Sequence, residues 1–86
     1  MIYKLMDHIH YEGDEETPII VDITNGKFFE LNAISHNIIK LINQGREVES
    51  IAEHISLKYS VDYKRVLNDV EKFIAQLVEM KILESI

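Results

Sequence analysis

The first third of the chain alternates between polar and apolar residues. His8, His10 and Glu12 alternate with Ile9 and Tyr11, and a period of two residues is typical of a β-strand with one buried face. Residues 13–16 are polar and include a glycine, which predicts a turn after this strand. The pattern therefore predicts that the first elements of the fold are strands.

A β-hairpin is predicted by two apolar stretches, residues 19–23 and 27–31, which flank Thr24-Asn25-Gly26. A two-residue turn would direct the carboxylate of Asp22 into the core, whereas a three-residue turn with Gly26 in the left-handed conformation leaves an apolar inner face. Because a shift of one residue inverts every side chain, we predict the three-residue turn. Its inner face holds Ile19, Val21, Ile23, Phe29 and Leu31, and its outer face holds Ile20, Asp22, Phe28 and Glu30.

Apolar residues at helical spacing dominate the remaining sequence. The first predicted helix has Asn32 as its N-cap and ends at Gly45, the second runs from about Val48 to Lys58, and the third is capped by Asp62. The third helix has an apolar arc that is wider than the usual stripe. This arc comprises Val66, Leu67, Val70, Phe73, Ile74, Leu77, Val78 and Met80.

The order of these elements, three short strands followed by three helices, predicts an α+β fold with a three-stranded antiparallel sheet. Two short helices and a longer one beside a small sheet also suggest a winged helix-turn-helix shape. A chain of 86 residues is too short for two hydrophobic cores. We therefore expect a single domain that spans residues 1–86.

The composition excludes several classes of protein. The chain has no cysteine, which excludes disulfide scaffolds, thiol nucleophiles and zinc–thiolate sites. The longest aliphatic run is three residues, Ile19 to Val21, which is too short to span a bilayer, and the N-terminal residues do not read as a signal peptide. We therefore expect a cytoplasmic protein that has no membrane partner.

Candidate catalytic and metal-binding groups are few. His8, His10 and Glu12 share a strand face and are suitable metal ligands, but a closed site needs a fourth ligand and none is evident. His36 and His54 are isolated on helices, where we expect surface or boundary positions. No Ser-His-Asp set can be placed by spacing, and the three glycines do not form a phosphate loop. We expect a non-enzymatic protein without a metal or a cofactor.

The net charge of −6 bears on the class of partner. No predicted element gathers lysine and arginine on one face, and duplex binding requires several phosphate contacts, so we expect no nucleic-acid partner. A winged-helix DNA-binding regulator is the alternative function, with the third helix in a DNA groove. Against it, that helix carries four acidic residues, Asp62, Asp69, Glu71 and Glu79.

The last predicted strand, residues 27–31, lies at the edge of the sheet in a simple meander. Natural edges are usually blunted by proline, an inward-pointing charge or a covering segment, and this strand has neither proline nor an inward charge. Its unpaired backbone groups are therefore suited to template another strand. The alternatives are a cover by the third helix or by a strand from Ile2 to Met6, and an edge-paired dimer in place of the expected monomer.

A series of motifs along the chain has the order and spacing of a known family. Over about residues 7–84 the sequence resembles the PqqD-like family, named for the small protein of pyrroloquinoline quinone biosynthesis, and its hairpin is most similar to standalone members from lasso-peptide gene clusters. Glu47 and Lys81 depart from the family's pattern, which often has a capping threonine and a glycine at these positions. The motifs are Ile20 to Asn32, Ile38 to Ile42, Gly45-Arg46, Val48 to Ile51, Val66 to Val70 and Phe73 to Leu77.

The resemblance implies a RiPP recognition element. Such a domain binds the leader of a ribosomally made precursor peptide as an extra antiparallel strand, between the third strand and the third helix. It then presents the precursor to a separate maturation enzyme, here a lasso-peptide leader protease. The exposed edge and the broad helix face inferred from the residues agree with this role.

The expected peptide-binding residues lie on the last strand and on the third helix. The backbone of residues 28–31 is expected to supply hydrogen bonds, and Phe29 and Leu31 are expected to form apolar pockets with the third helix, core packing being the alternative. Phe28 is expected to meet a leader side chain on the outer face. Either Arg65 or Asp69 is a candidate to pair with a charge of the leader, a solvated helix surface being the alternative. The complete set is Lys27, Phe28, Phe29, Glu30, Leu31, Arg65, Val66, Asp69, Val70 and Phe73.

Overall fold

The fold consists of two small antiparallel sheets and three helices. A computed structural model describes residues 1–12 and 15–86, so part of the turn predicted at residues 13–16 lies outside the described residues. The predicted α+β order, a three-stranded sheet followed by three helices, is confirmed. The elements are β1 (Tyr3–Leu5), β2 (Ile9–Glu12), β3 (Ile19–Asp22), β4 (Lys27–Glu30), α1 (Ala33–Asn43), α2 (Val48–Tyr59), α3 (Tyr63–Glu79) and β5 (Leu83–Ser85).

The hydrophobic core joins the three helices, the inner face of the sheet that β2, β3 and β4 form in that order, and the strands β1 and β5. Ile39 of α1 and Ala52 of α2 are completely buried, and Ile20 of β3 is almost completely buried in the same core. The apolar arc of α3 is narrower than predicted, because Val78 and Met80 are exposed. Among the described residues, no helix is both long and apolar enough to cross a membrane.

The β3–β4 hairpin has a different register from the predicted one. Ile20 pairs with Phe29 and Asp22 pairs with Lys27, so residues 23–26 connect the strands. Ile20 and Asp22 are buried on the inner face, which was predicted to hold Ile19, Val21 and Ile23. The predicted faces of β3 are therefore inverted, and the three-residue turn is wrong.

Hydrogen bonds within the turn explain this register. The carboxylate of Asp22 accepts a hydrogen bond from the Nδ2 of Asn25 at 2.8 Å and another from the backbone N–H of Asn25 at 3.0 Å. Aspartate commonly stabilises a turn in this way, so its buried position carries no penalty of an unpaired charge. Gly26 has φ of +66°, which confirms the left-handed conformation predicted for it.

The acidity of Asp22 makes the stability of this turn dependent on pH. The hydrogen bonds from the side chain and then the backbone of Asn25 hold the pKa of Asp22 below its ordinary value of 3.8. A lowered folded-state pKa stabilises the fold above the unfolded-state pKa, and this stabilisation is lost as the pH falls through the folded-state value. We expect Asp22→Asn to lower the free energy of unfolding most at neutral pH and progressively less below about pH 4. Urea unfolding followed by circular dichroism at several pH values measures this, and a pH-independent difference would contradict it.

The N-terminal caps of two helices are the predicted ones. The side chain of Asn32 accepts a hydrogen bond from the N–H of Ser35 at 2.8 Å, and that of Asp62 accepts one from the N–H of Arg65 at 3.2 Å. Glu47, at the N-cap of α2, makes no capping hydrogen bond with its side chain. The departure from a capping threonine therefore leaves the start of α2 without this interaction.

The second sheet pairs β1 with β5 and was not predicted. After α3, Lys81, one of the two departures from the resembled family's pattern, adopts a left-handed conformation with φ of +64°, and the chain reverses into β5. Leu5 pairs with Leu83, and the N–H of Met6 donates to the carbonyl of Ile82 at 2.9 Å. The N-terminal strand is therefore paired with β5, and the alternative in which it covers the edge of the larger sheet is wrong.

Candidate functional site

The outer side of β4 is a free sheet edge, since no strand among the described residues pairs with it. On its other side, the N–H of Leu31 donates to the carbonyl of Pro18 at 3.0 Å. Backbone groups alternate in direction along an antiparallel strand, so those of Phe29 and Leu31 point to β3, while those of Phe28 and Glu30 point outward. The expectation that residues 28–31 all supply backbone hydrogen bonds to a partner is therefore wrong for Phe29 and Leu31.

The side chains of β4 divide between the two faces of the sheet. Phe29 lies opposite Ile20 on the inner face and is half-buried against the core. Phe28 and Glu30 lie on the outer face, as predicted, and Phe28 is 65% exposed. Lys27 is exposed beside the turn, where it lies opposite Asp22 in the strand register. The free edge thus has an apolar side facing the helices and an exposed side facing solvent.

A groove of about 400 Å³ begins close to the end of β4 and lies between the start of α1, the end of α2 and the first half of α3. Its base is apolar and includes the buried residues Ile38 and Ile55. Phe29 and Leu31 do not line this groove, although both pack against the core. The groove does bring together half of the predicted set, namely Arg65, Val66, Asp69, Val70 and Phe73.

Besides the two isoleucines at its base, the groove has two apolar residues and one tyrosine that were not predicted as site residues. Ile34 of α1 is 47% exposed and Val61, between α2 and α3, is 39% exposed, and both line the groove. Tyr59 also lines it, and its hydroxyl accepts a hydrogen bond from the Nδ2 of Asn37 at 2.8 Å. Ile34 follows the helical apolar pattern of α1, but only the packing of α1 against α2 shows that it faces this groove.

The rim of the groove carries opposite charges that the fold leaves unused. Arg65 and Asp69 lie four residues apart on α3 and are both exposed. Within residues 1–12 and 15–86, neither side chain forms an ion pair. Both are therefore accessible to a charged group of a bound molecule.

A polar cluster around His36 ties the segment before β3 to α1. His36 is 5% exposed, so the surface or boundary position expected for it is wrong, and its Nδ1 lies 3.6 Å from the Oε2 of Glu15. Lys40 donates a hydrogen bond to Glu15 at 2.8 Å, and this bond and the charge of Lys40 lower the pKa of Glu15. The ring of Tyr11 lies 5.6 Å from that of His36. None of these four residues lines the groove.

The histidine-containing strand has no metal-site geometry. Within the part of the chain that the structure describes, no three histidine, aspartate or glutamate side chains are grouped closely enough to hold a metal ion. His10 and Glu12 are exposed on β2, and His8 lies before that strand. His54 is exposed on α2, as expected.

Comparisons with solved structures show strong similarity over nearly the whole chain. TbiB1 in complex with the TbiA(beta) leader peptide is 26% identical, with a TM-score of 0.88 over 96% of each chain. A lasso peptide synthetase B1 complexed with the leader peptide is 16% identical, with a TM-score of 0.90 over 99% of this chain and 100% of that one. The PqqD truncation of Methylobacterium extorquens PqqCD, described as a functional and stand-alone RiPP recognition element, is 20% identical, with a TM-score of 0.78 over 98% and 89%.

The sequence comparison identifies the family. A search of curated proteins gives no match. The family described as coenzyme PQQ synthesis protein D (PqqD) matches residues 18–83, which is most of the chain. The resemblance seen in the hairpin and helix motifs is thereby confirmed, and the chain belongs to the PqqD family.

Proposed function

We propose that this chain captures the leader of a ribosomally made precursor peptide as an antiparallel strand on β4 and presents it to a separate maturation enzyme. The observation that carries the proposal is the free edge of β4 next to an apolar groove. TbiB1, at 26% identity, was solved with a leader peptide bound. We propose that this chain serves the leader protease of a lasso-peptide pathway. This would take place in the cytoplasm, where the precursor is made.

The strand edge supplies affinity but little selectivity. Phe28 and Glu30 each present one N–H and one carbonyl, which allows up to about four backbone hydrogen bonds with a directly opposed strand. A hydrogen bond of this kind contributes about 0.5–1.5 kcal/mol net and is the same for every sequence. Discrimination between leaders must therefore come from side chains that enter the groove, where Val66, Val70 and Phe73 are the predicted contacts and where Ile34 and Val61 also line the wall.

The antiparallel orientation fixes the direction of the bound peptide. β4 runs from Lys27 at the turn to Glu30, and the groove begins at Asn32. An antiparallel leader therefore places its N-terminal part along the groove, while its C-terminal part leaves past Lys27. The segment to be modified follows the leader, so it emerges at the hairpin end of the sheet, where a maturation enzyme has access to it.

We assign no reaction to the chain itself. The polar side chains of the groove, Asn32, Ser35, Tyr59, Arg65 and Asp69, stand around an apolar base, an arrangement that suits the binding of peptide side chains. The DNA-binding alternative finds no support in the comparisons, and the surface of α3 is exposed at Asp69, Glu71 and Glu79, where phosphates would be repelled. The monomer stays a prediction with the edge-paired dimer as its alternative, and light scattering without peptide would distinguish the two.

The test of this function is a titration with the synthetic leader of the precursor peptide encoded beside the gene. We expect saturable binding by calorimetry and amide chemical-shift changes concentrated in residues 27–32 and 65–73. Saturable binding with shifts confined to β2 or to the β1–β5 sheet would place the site elsewhere. An absence of leader binding, together with salt-sensitive binding to DNA in a mobility-shift assay, would favour the alternative function.

A further inference from the structure

Two exposed side chains of unlike chemistry stand beside the free edge, on the outer face of the sheet. Phe28 lies opposite Val21 and is 65% exposed, and Glu30 lies opposite Ile19 and is also exposed. The backbone N–H and carbonyl groups of these same two residues point away from β3, toward the free edge. A strand added to β4 therefore meets these two side chains directly.

The register of such a strand determines which of its side chains they meet. In an antiparallel pair, directly opposed residues have their side chains on the same face. The peptide residue opposite Glu30 comes first, the next residue points to the inner face and the helices, and the one opposite Phe28 follows. The first and third residues of this tripeptide thus lie on the outer face, outside the groove.

We infer that this chain reads the solvent-facing side of its leader, selecting a lysine or arginine opposite Glu30 and an aromatic or aliphatic side chain two residues later, opposite Phe28. The inference rests on the proposed strand addition and names the chemistry of the peptide that the edge prefers. The preferred tripeptide therefore has a basic residue first, a residue that faces the groove second and an apolar residue third.

The surroundings of Glu30 suit a long cationic side chain. Within residues 1–12 and 15–86, no lysine, arginine or histidine forms an ion pair with Glu30. A cavity of about 140 Å³ lies beside it, and neighbouring strands are about 4.8 Å apart, so a lysine or arginine of the added strand reaches this cavity. Apolar walls contact the aliphatic stem, while the carboxylate meets the charged end. The cavity is lined by Glu16, Thr17, Pro18, Ile19, Glu30 and Leu31.

The position of Phe28 favours an apolar neighbour. Large aromatic side chains are seldom left this exposed on a solvent-facing strand, and the adjacent Val21 is half-buried. An apolar peptide side chain opposite Phe28 would continue the row of Val21 and Phe28 across the sheet. It would remove both itself and the ring of Phe28 from water. We expect such a side chain to change affinity by about three- to tenfold, and the exposed ion pair at Glu30 by about two- to fivefold.

The experiment selects binders from a yeast-displayed library of random peptides, with the whole chain as the bait. For the wild type, we expect the enriched peptides to align on a basic residue followed two positions later by an apolar one. Glu30→Lys should invert the first preference to aspartate or glutamate, and Phe28→Thr should remove the second while keeping the first. Glu12→Lys is the matched control, because Glu12 is exposed on the same face but lies on β2.

Each outcome of the selection decides the inference. Counter-selection against Glu30→Pro identifies the peptides that bind the edge of β4. If those peptides lack the pattern, or if Glu30→Lys does not invert the preference for a basic residue, the outer-face inference is wrong while strand addition stands. If Glu12→Lys inverts it equally, the preference reflects overall charge, which also overturns the inference. If no enriched peptide depends on the β4 edge, strand addition itself fails.

Discussion

Replacing Glu30 by proline should weaken leader binding about 30-fold and leave the fold intact. The N–H of Glu30 points away from β3, so proline removes no hydrogen bond from the hairpin, and an edge position of this kind tolerates proline. The variant loses one backbone donor, leaves a leader carbonyl unpaired and puts a ring where the leader strand must lie. The combined effect is about 2 kcal/mol, which is about 30-fold in the dissociation constant, measured by calorimetry with the synthetic leader.

Two control variants separate the edge from other effects of this substitution. Glu30→Ala removes the carboxylate but keeps the N–H, so it should lose no more than the two- to fivefold expected for the ion pair at this position. Ser85→Pro places proline at an outward-facing position of the other sheet, because Ile86 donates to the carbonyl of Ile2 and thereby directs Ser85 away from β1. Circular dichroism verifies each fold. Wild-type affinity in Glu30→Pro, or an equal loss in Ser85→Pro, would contradict strand addition at β4.

Replacing Ile34 by aspartate should also weaken leader binding by about 30-fold. Ile34 lines the groove and is 47% exposed, so a leader side chain in the groove covers it. Loss of the buried apolar contact, added to the cost of desolvating a carboxylate, amounts to about 2 kcal/mol or more. The fold should be unaffected, because Ile34 is the second residue of α1 and an aspartate in the first turn interacts favourably with the helix dipole.

The matched control for the groove is Leu57→Asp. Leu57 is 75% exposed on α2 and lies beside His54 and Lys58, away from the groove. It introduces the same charge into the same class of element, so it should leave the dissociation constant within about twofold, the usual size of a remote surface effect. Equal losses for both variants would show that net charge, and not the groove, controls the affinity.

Elements whose formation depends on residues close to one another in the sequence were predictable. The caps at Asn32 and Asp62 and the helices that follow them were predicted correctly, because a cap and a helical apolar stripe are local properties. The family resemblance was also carried by contiguous motifs such as the hairpin from Ile20 to Asn32. Together these sufficed to predict the α+β fold and the family.

The hairpin register was mispredicted for a specific physical reason. The prediction assumed that Asp22 could not face inward, but its carboxylate accepts two hydrogen bonds from Asn25. The local partner removes the penalty that decided the register in the sequence argument. The same mistake hid which backbone groups of β4 point outward, and so the candidate site could be placed on the strand but not resolved to Phe28 and Glu30.

Contacts between distant parts of the chain were beyond a single sequence. The pairing of Leu5 with Leu83 joins the two ends of the chain, and short strands of this kind have no local signal that identifies their partner. The contribution of Ile34 and Val61 to the groove likewise depends on how α1, α2 and α3 pack together. By contrast, Arg65, Asp69 and Phe73 were predictable because they lie on one side of a single long helix.

Hydrogen exchange at the amides of β4 tests the central claim most directly. In the free chain, the N–H groups of Phe29 and Leu31 face β3 and should exchange slowly, whereas those of Phe28 and Glu30 face outward and should exchange fast. Saturating leader should slow exchange at Phe28 and Glu30 and leave Phe29 and Leu31 nearly unchanged. Saturation of the chain with leader while the amides of Phe28 and Glu30 continue to exchange fast would contradict strand addition at this edge.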